Sequence, residues 1–262
     1  MSDRDRLVDA MIDSYSNAGE FFSTLSDEDF EVQSLCPDWT ARGVLVHLAG
    51  VESMLAGWMP DSADDTIPFA KVAEFMGSAE SMSNAELLDA YRAVCAIRAE
   101  ELAGVTQADI DRPSMTPVGP QTYGRFMAIR AFDFWVHERD VRMPLARPGD
   151  DGGAVAELAL EEVHLSLGYI VGKKIGLPDQ HSITFHLNGP LQKDLHVNVD
   201  GRAAVVESLD SPDVEVDCHS TSFIMMACGR IDPQVEIDAG RVSWRGNAEY
   251  GERAARNLAF TM

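Results

Sequence analysis

Basic residues are scarce in this chain of 262 residues. Lys and Arg total 21 against 43 Asp and Glu, a formal charge of −22. That balance repels phosphate backbones and anionic lipid, so nucleic-acid and membrane partners are excluded. Cysteine is also sparse: Cys36, Cys95, Cys218 and Cys228, with no CxxC pair. Zinc-ribbon and haem-attachment spacings are therefore missing, and the four read as reduced, buried small hydrophobes rather than a disulfide framework. No run approaches the roughly 20 apolar residues of a membrane span. The opening MSDRDRLVDAMIDSYS has no apolar signal-peptide block, so a cytoplasmic location is expected. A phosphate-cradling loop is missing, because RPGDDGGAV has neither a lysine nor a preceding strand. No GxSxG nucleophile elbow occurs. Nor is there an internal repeat or low-complexity tract.

Hydrophobic residues make up 45% of the chain, enough for a core of one large domain or two ordinary ones. The first half reads as helices. Leu7, Met11, Tyr15, Ala18, Phe22 and Leu25 recur at spacings of three and four, the mark of an amphipathic helix. In CPDWTARGVLVHLAGVESMLAGWMP, Asp38 or Thr40 caps a second helix and Pro60 stops it. Residues 61–82 read as a loop with a short helix, 84–102 as a third long helix and 123–142 as a fourth. The proline-rich DRPSMTPVGPQT between the last two reads as a long connection. After a helix over 154–174 the period changes to two. SITFHLNG, LHVNVDG, RAAVVES, VEVDCHS and GRVSWRG read as strands. A helix over STSFIMMACGR, capped by Ser220 or Thr221, and a closing helix over NAEYGERAARNLAF complete the pattern. The expected fold class is α+β: an antiparallel four-helix bundle over residues 1–150, then a smaller α+β domain over 151–262.

One stretch in the fourth helix carries chemistry. FDFWVHERD sets Asp133 and His137 four apart, on one helical face. His47 is inward on the second helix. If folding joins them, two imidazoles and a carboxylate make three ligands with a position left open, the pattern of a catalytic zinc site. Nickel, iron or manganese would also accept that set. The bland alternatives are a core histidine bonded to a carbonyl and a simple Asp–His hydrogen bond. Asp140 is three beyond His137 and reads as a ligand, a partner of His137, or a mate for Arg139 or Arg142. His164, His181, His186, His196 and His219 lack a carboxylate at ligand spacing and read as structural or solvated.

CPDWTARGVLVHLAGVE and FDFWVHERDVR resemble the two signature stretches of the mycothiol-dependent maleylpyruvate isomerase family, whose bundle is of the DinB-like metal-binding kind. The resemblance covers residues from about 5 to 150. It implies a divalent metal, zinc first, on His47, Asp133 and His137. It also implies mycothiol or a similar thiol as cofactor and a small electrophilic substrate, with isomerase or thiol-transferase activity. The departure is Asp133 where the family has glutamate, one methylene longer. The second half resembles that family's C-terminal domain, which is related to sterol carrier protein type 2. There the resemblance implies an arginine that binds the thiol cofactor and aids the reaction; Arg230 is the matching position and Arg245 the second choice. Two alternatives stand beside this: a thiol-independent metal hydrolase, and a non-catalytic binder of apolar ligands on a metal-stabilised bundle.

Overall fold

The computed structural model describes residues 3–261. The chain divides into two compact units, Met1–Gly149 and Asp150–Met262.

The first unit is built on four long helices, α1 (Asp3–Phe22), α3 (Ala41–Leu55), α5 (Asn84–Gly104) and α7 (Tyr123–Arg142), with the short helices α2 (Asp27–Phe30), α4 (Ala70–Ala79) and α6 (Gln107–Ile110) in their connections. Helix α1 adjoins α5 and α7, and α3 adjoins the same two. Side-chain contacts give the directions. Arg4 meets the end of α5 at Val105, whereas Tyr15 packs on Phe134 and Arg142 on Phe21. Hence α1 runs against α5 and with α7. Similarly, Arg42 bonds Asn84 and Glu52 bonds both Arg98 and Arg130, so α3 runs with α5 and against α7. Two helices thus run each way. Because α3 and α5 are parallel, the chain must travel back between them, and residues 56–83 make that return with α4 laid against α3. This topological demand explains a connection far longer than a tight helical hairpin needs.

Capping fixes the breaks. Ser26, Ser83 and Thr106 each form a capping box, with Asp29, Glu86 and Asp109 respectively. The proline-rich stretch expected as a plain connection follows α6 and instead forms a two-stranded ribbon, β1 (Pro113–Thr116) on β2 (Gly119–Thr122). A ribbon with two free edges tolerates Pro113 and Pro120, since no neighbouring strand needs their missing N–H groups.

The second unit carries a five-stranded sheet in the order β5-β4-β3-β6-β7 (β3 Ser182–Asn188, β4 Lys193–Asp200, β5 Arg202–Val206, β6 Val214–His219, β7 Val242–Gly246). β3 and β6 pair in parallel and the other neighbours are antiparallel. Ile183, Phe185, Leu195, Val197, Val214 and Val216 are buried on one face, against helices α8 (Gly153–Tyr169), α9 (Ser220–Ala227) and α11 (Ala248–Arg256). A further short helix, α10 (Pro233–Asp238), precedes β7. Helix α8 passes into a π-helical turn, Ile170–Ile175, which Gly176 ends at φ 65°. The expected cap of α9 is not made by Ser220 or Thr221. Ser220 Oγ accepts from Leu191 N and Thr221 donates to Asp151, so tertiary partners have claimed both hydroxyls. Among the described residues, no helix is long and apolar enough to cross a membrane.

Candidate metal centre

Helix α7 presents Arg130, Asp133, His137 and Asp140 at spacings of three, four and three, a single stripe. His47, one turn and a half inside α3, meets that stripe. Its Nε2 lies 3.1 Å from Asp133 Oδ2, and His137 Nε2 lies 3.3 Å from Asp133 Oδ1. The three donor atoms lie within 4.8 Å of one another. Two ligands about 2.1 Å from a tetrahedral ion are roughly 3.4 Å apart, so the set has the spread a zinc-like ion needs. The shorter Asp133 still reaches both imidazoles.

The surroundings orient these donors. Asp140 Oδ2 sits 2.9 Å from His137 Nδ1. With Nδ1–H donating to that carboxylate, Nε2 is the nitrogen that faces Asp133 and His47. This is the carboxylate–histidine arrangement that fixes a metal-binding tautomer. Arg139 and Arg142 are engaged elsewhere, with Trp135 and Glu138. Trp39 stacks on His47 at 4.8 Å between ring centroids and leans on His137 at 5.6 Å. Its loop folds inward: Leu35 N donates to Asp140 O, and Gln33 Nε2 bonds the carbonyls of Cys36 and Trp39. Consequently Cys36 Sγ donates to Asp140 at 3.0 Å and lies 3.6 Å from His137 Nδ1. Cys36, His137 and Asp140 form a second, fully buried group of potential donors.

Behind the stripe lies a network that spacing in the sequence does not reveal. Glu52, fully buried, accepts from Tyr15 at 2.6 Å, from Arg98 at 3.3 Å and from Arg130 at 3.0 and 3.1 Å. Arg130 also pairs with Asp133. Arg98 continues to Glu101 and to the Tyr123 hydroxyl. The two guanidinia are buried, and each is matched by carboxylates. Charge then follows geometry. Burial pushes the Asp133 carboxyl up, yet His137, Arg130 and His47 outweigh it and hold it well below the usual carboxylate range. Burial pushes His137 down, but Asp133 and Asp140 outweigh it and raise it well above an ordinary imidazole. For His47, burial prevails over Asp133 and lowers it. One signal for Arg130 and Asp140 was present in the 3-4-3 spacing of α7. Glu52 and Arg98 left no such trace.

A cavity of about 720 Å³ opens on His47, Asp133 and Arg130. Its walls are Val51 and Met54 of α3, Ile67, Phe69, Val72, Ala73 and Met76 of the return segment and α4, Met115 and Pro117 of the ribbon, and Phe126 and Ile129 of α7.

In the second unit, Arg230 follows α9 and Gly229; it is half-buried, with one guanidinium nitrogen 3.3 Å from Cys228 O. Arg245 on β7 is exposed and engaged, with Nε and a terminal nitrogen on Glu215 at 3.0 and 2.6 Å and the other on Asp217. His186 joins the same polar sheet face, between Asp194 and Glu215.

Residues 15–142 match the family described as the mycothiol maleylpyruvate isomerase N-terminal domain. Two solved structures are similar over 93% of this chain and 93% of their own: mycothiol-dependent maleylpyruvate isomerase, at a TM-score of 0.60, and a mutant of it, at 0.61. Both are 14% identical in sequence, so the likeness is one of fold. No curated protein matches the chain. The segment that brings His47, Asp133 and His137 together is thus the part of the chain that matches the mycothiol maleylpyruvate isomerase N-terminal domain family.

Proposed function

We propose that this protein is a metal-dependent enzyme in which a low-molecular-weight thiol, mycothiol or a similar one, attacks a small electrophile, with isomerisation or thiol transfer as the outcome. The observation that carries this reading is the convergence of two imidazoles and a carboxylate on one side of an apolar cavity. A divalent ion bound there, zinc first among candidates, would lower the pKa of a thiol ligand and favour the thiolate at neutral pH.

The residues of the chain do the rest. His47, Asp133 and His137 hold the ion. Asp140 keeps the proton on His137 Nδ1, and Arg130 holds Asp133 in place while Glu52 balances its charge. The apolar walls of the cavity keep water from a reactive sulfur. Two of the chain's own thiols are poor substitutes: burial pushes both Cys95 and Cys218 far up, so they stay protonated at neutral pH. Of the two candidate arginines in the second unit, Arg230 is the one assigned to the thiol cofactor and the reaction. The fork of Arg245 is filled by Glu215 and Asp217.

The direct test is elemental analysis joined to turnover. Purified protein should carry a stoichiometric divalent ion, and His47→Ala should lose it. Consumption of an electrophile should require added thiol and vanish in the same variant. Turnover without thiol would favour the hydrolase reading, and a full metal content with no turnover would favour a binding protein.

A further inference from the structure

The wall of the cavity says what kind of electrophile it takes. We infer that the substrate is uncharged and apolar where it meets the protein, an α,β-unsaturated ketone or a similar neutral electrophile, and not a dicarboxylate. This rests on the metal–thiol reading above and narrows it.

Three observations carry the inference. First, the cavity is walled by Val51, Met54, Val72, Met115, Phe126 and Ile129, contributed by α3, α4, the ribbon and α7. At about 720 Å³ it has the size of a small-molecule site, not of a packing defect. Second, among the described residues lining it, Arg130 is the one guanidinium or ammonium. Its fork is already used: Nε and one terminal nitrogen lie 3.1 and 3.0 Å from Glu52 Oε1, and the other pairs with Asp133. With the thiol on the ion's open position, a substrate carboxylate entering here would find no bidentate partner among these lining side chains and would lose its hydration without compensation. Third, the whole chain carries a charge of −22, so its long-range field repels a dianion.

The chemistry balances without a further reactant. The thiol sulfur bonds to the β carbon, the C=C π pair moves to the α carbon, and the thiol proton ends there. Reversal after rotation about the resulting single bond isomerises the alkene; retention gives the thioether.

The probes are benzylideneacetone, a neutral enone, and cinnamate, which has the same phenylvinyl frame with a carboxylate in place of the ketone. Each is titrated by calorimetry into the protein as purified and again after the ion is removed by chelation, so that coordination of a carboxylate by the ion is read apart from binding to the wall. The enone should bind at least tenfold more tightly than cinnamate. Val72→Lys should weaken the enone at least fivefold and strengthen cinnamate. Met76→Lys, at the exposed rim (49% exposed), should shift the preference the same way with the fold intact by circular dichroism. Equal or tighter binding of cinnamate, or binding of neither probe, would overturn the inference. Thiol-dependent turnover is read separately. Enone binding without turnover sinks the enzyme reading and leaves the selectivity standing. Turnover of carboxylate substrates alone does the reverse.

Discussion

At the scale of single residues, His137 is decided by its two ends. Nε2 faces Asp133 at 3.3 Å, and Nδ1 faces Asp140 at 2.9 Å. Removing the orienting carboxylate should leave the proposed ligands His47, Asp133 and His137 intact but loosely aimed. Asp140→Ala is expected to weaken metal binding by about 10–100-fold, read by competition with a chromophoric chelator. Far from the centre, Glu236 offers a pH test. Burial raises its carboxyl, but Arg241 and Ser222 outweigh burial and lower it below its ordinary value. A carboxyl depressed in the folded state adds stability that is fully present above its unfolded value, about 4.3. That stability is lost as pH falls through the folded value. Between pH 6 and pH 3 the melting temperature of Glu236→Gln should therefore fall less than that of the wild type. The opposite sign applies to His186, which Asp194 and Glu215 raise against burial. Its contribution is fully present below an unfolded value of about 6.5 and fades as pH rises through the higher folded value. At this exposure it is small.

At the scale of elements, helix α7 is the organising piece. One stripe of it supplies Arg130, Asp133, His137 and Asp140, while α3 supplies His47 and Glu52 half a bundle apart in sequence. The buried Glu52 joins α1, α3, α5 and α7 through Tyr15, Arg98 and Arg130. Such a group specifies how four helices meet, and its removal leaves two buried guanidinia without a shared anion. Glu52→Gln should destabilise the first unit by about 3–5 kcal/mol, measured by urea denaturation. Metal affinity should fall too, because Arg130 would then draw more strongly on Asp133. Of these elements the four long helices were legible from apolar spacing, and the Asp133–His137 pair from helical periodicity. The ribbon at 113–122 was hidden by its prolines, which a ribbon without further neighbours tolerates. The Glu52 network was hidden because the partners of Glu52 lie 37 to 78 residues from it. No local pattern encodes a pairing made only when helices pack.

At the scale of the whole molecule, two units of different architecture share one chain. We propose that the first contains the complete metal site. A fragment ending at Gly149 should then retain the divalent ion and its helical circular dichroism. Thiol-dependent turnover should fall at least tenfold in that fragment, and likewise in full-length Arg230→Ala, if Arg230 contributes as proposed. An unchanged turnover in both would remove the second unit from the chemistry.

The sequence by itself determined the α+β class, the order of the long helices and of the five strands of the second unit, and which face of α7 carries donors, because 3.6-residue and two-residue periods are written locally. It also contained the acid balance that disfavours anionic partners. Only the tertiary structure decided that His47 meets Asp133, that Cys36 and Asp140 close on His137, and that Arg130, the one guanidinium or ammonium among the described residues lining the cavity, is already neutralised. Those facts depend on parallel and antiparallel packing of helices and on a loop turning inward. They are properties of distance between segments, and distance is what a linear pattern does not record.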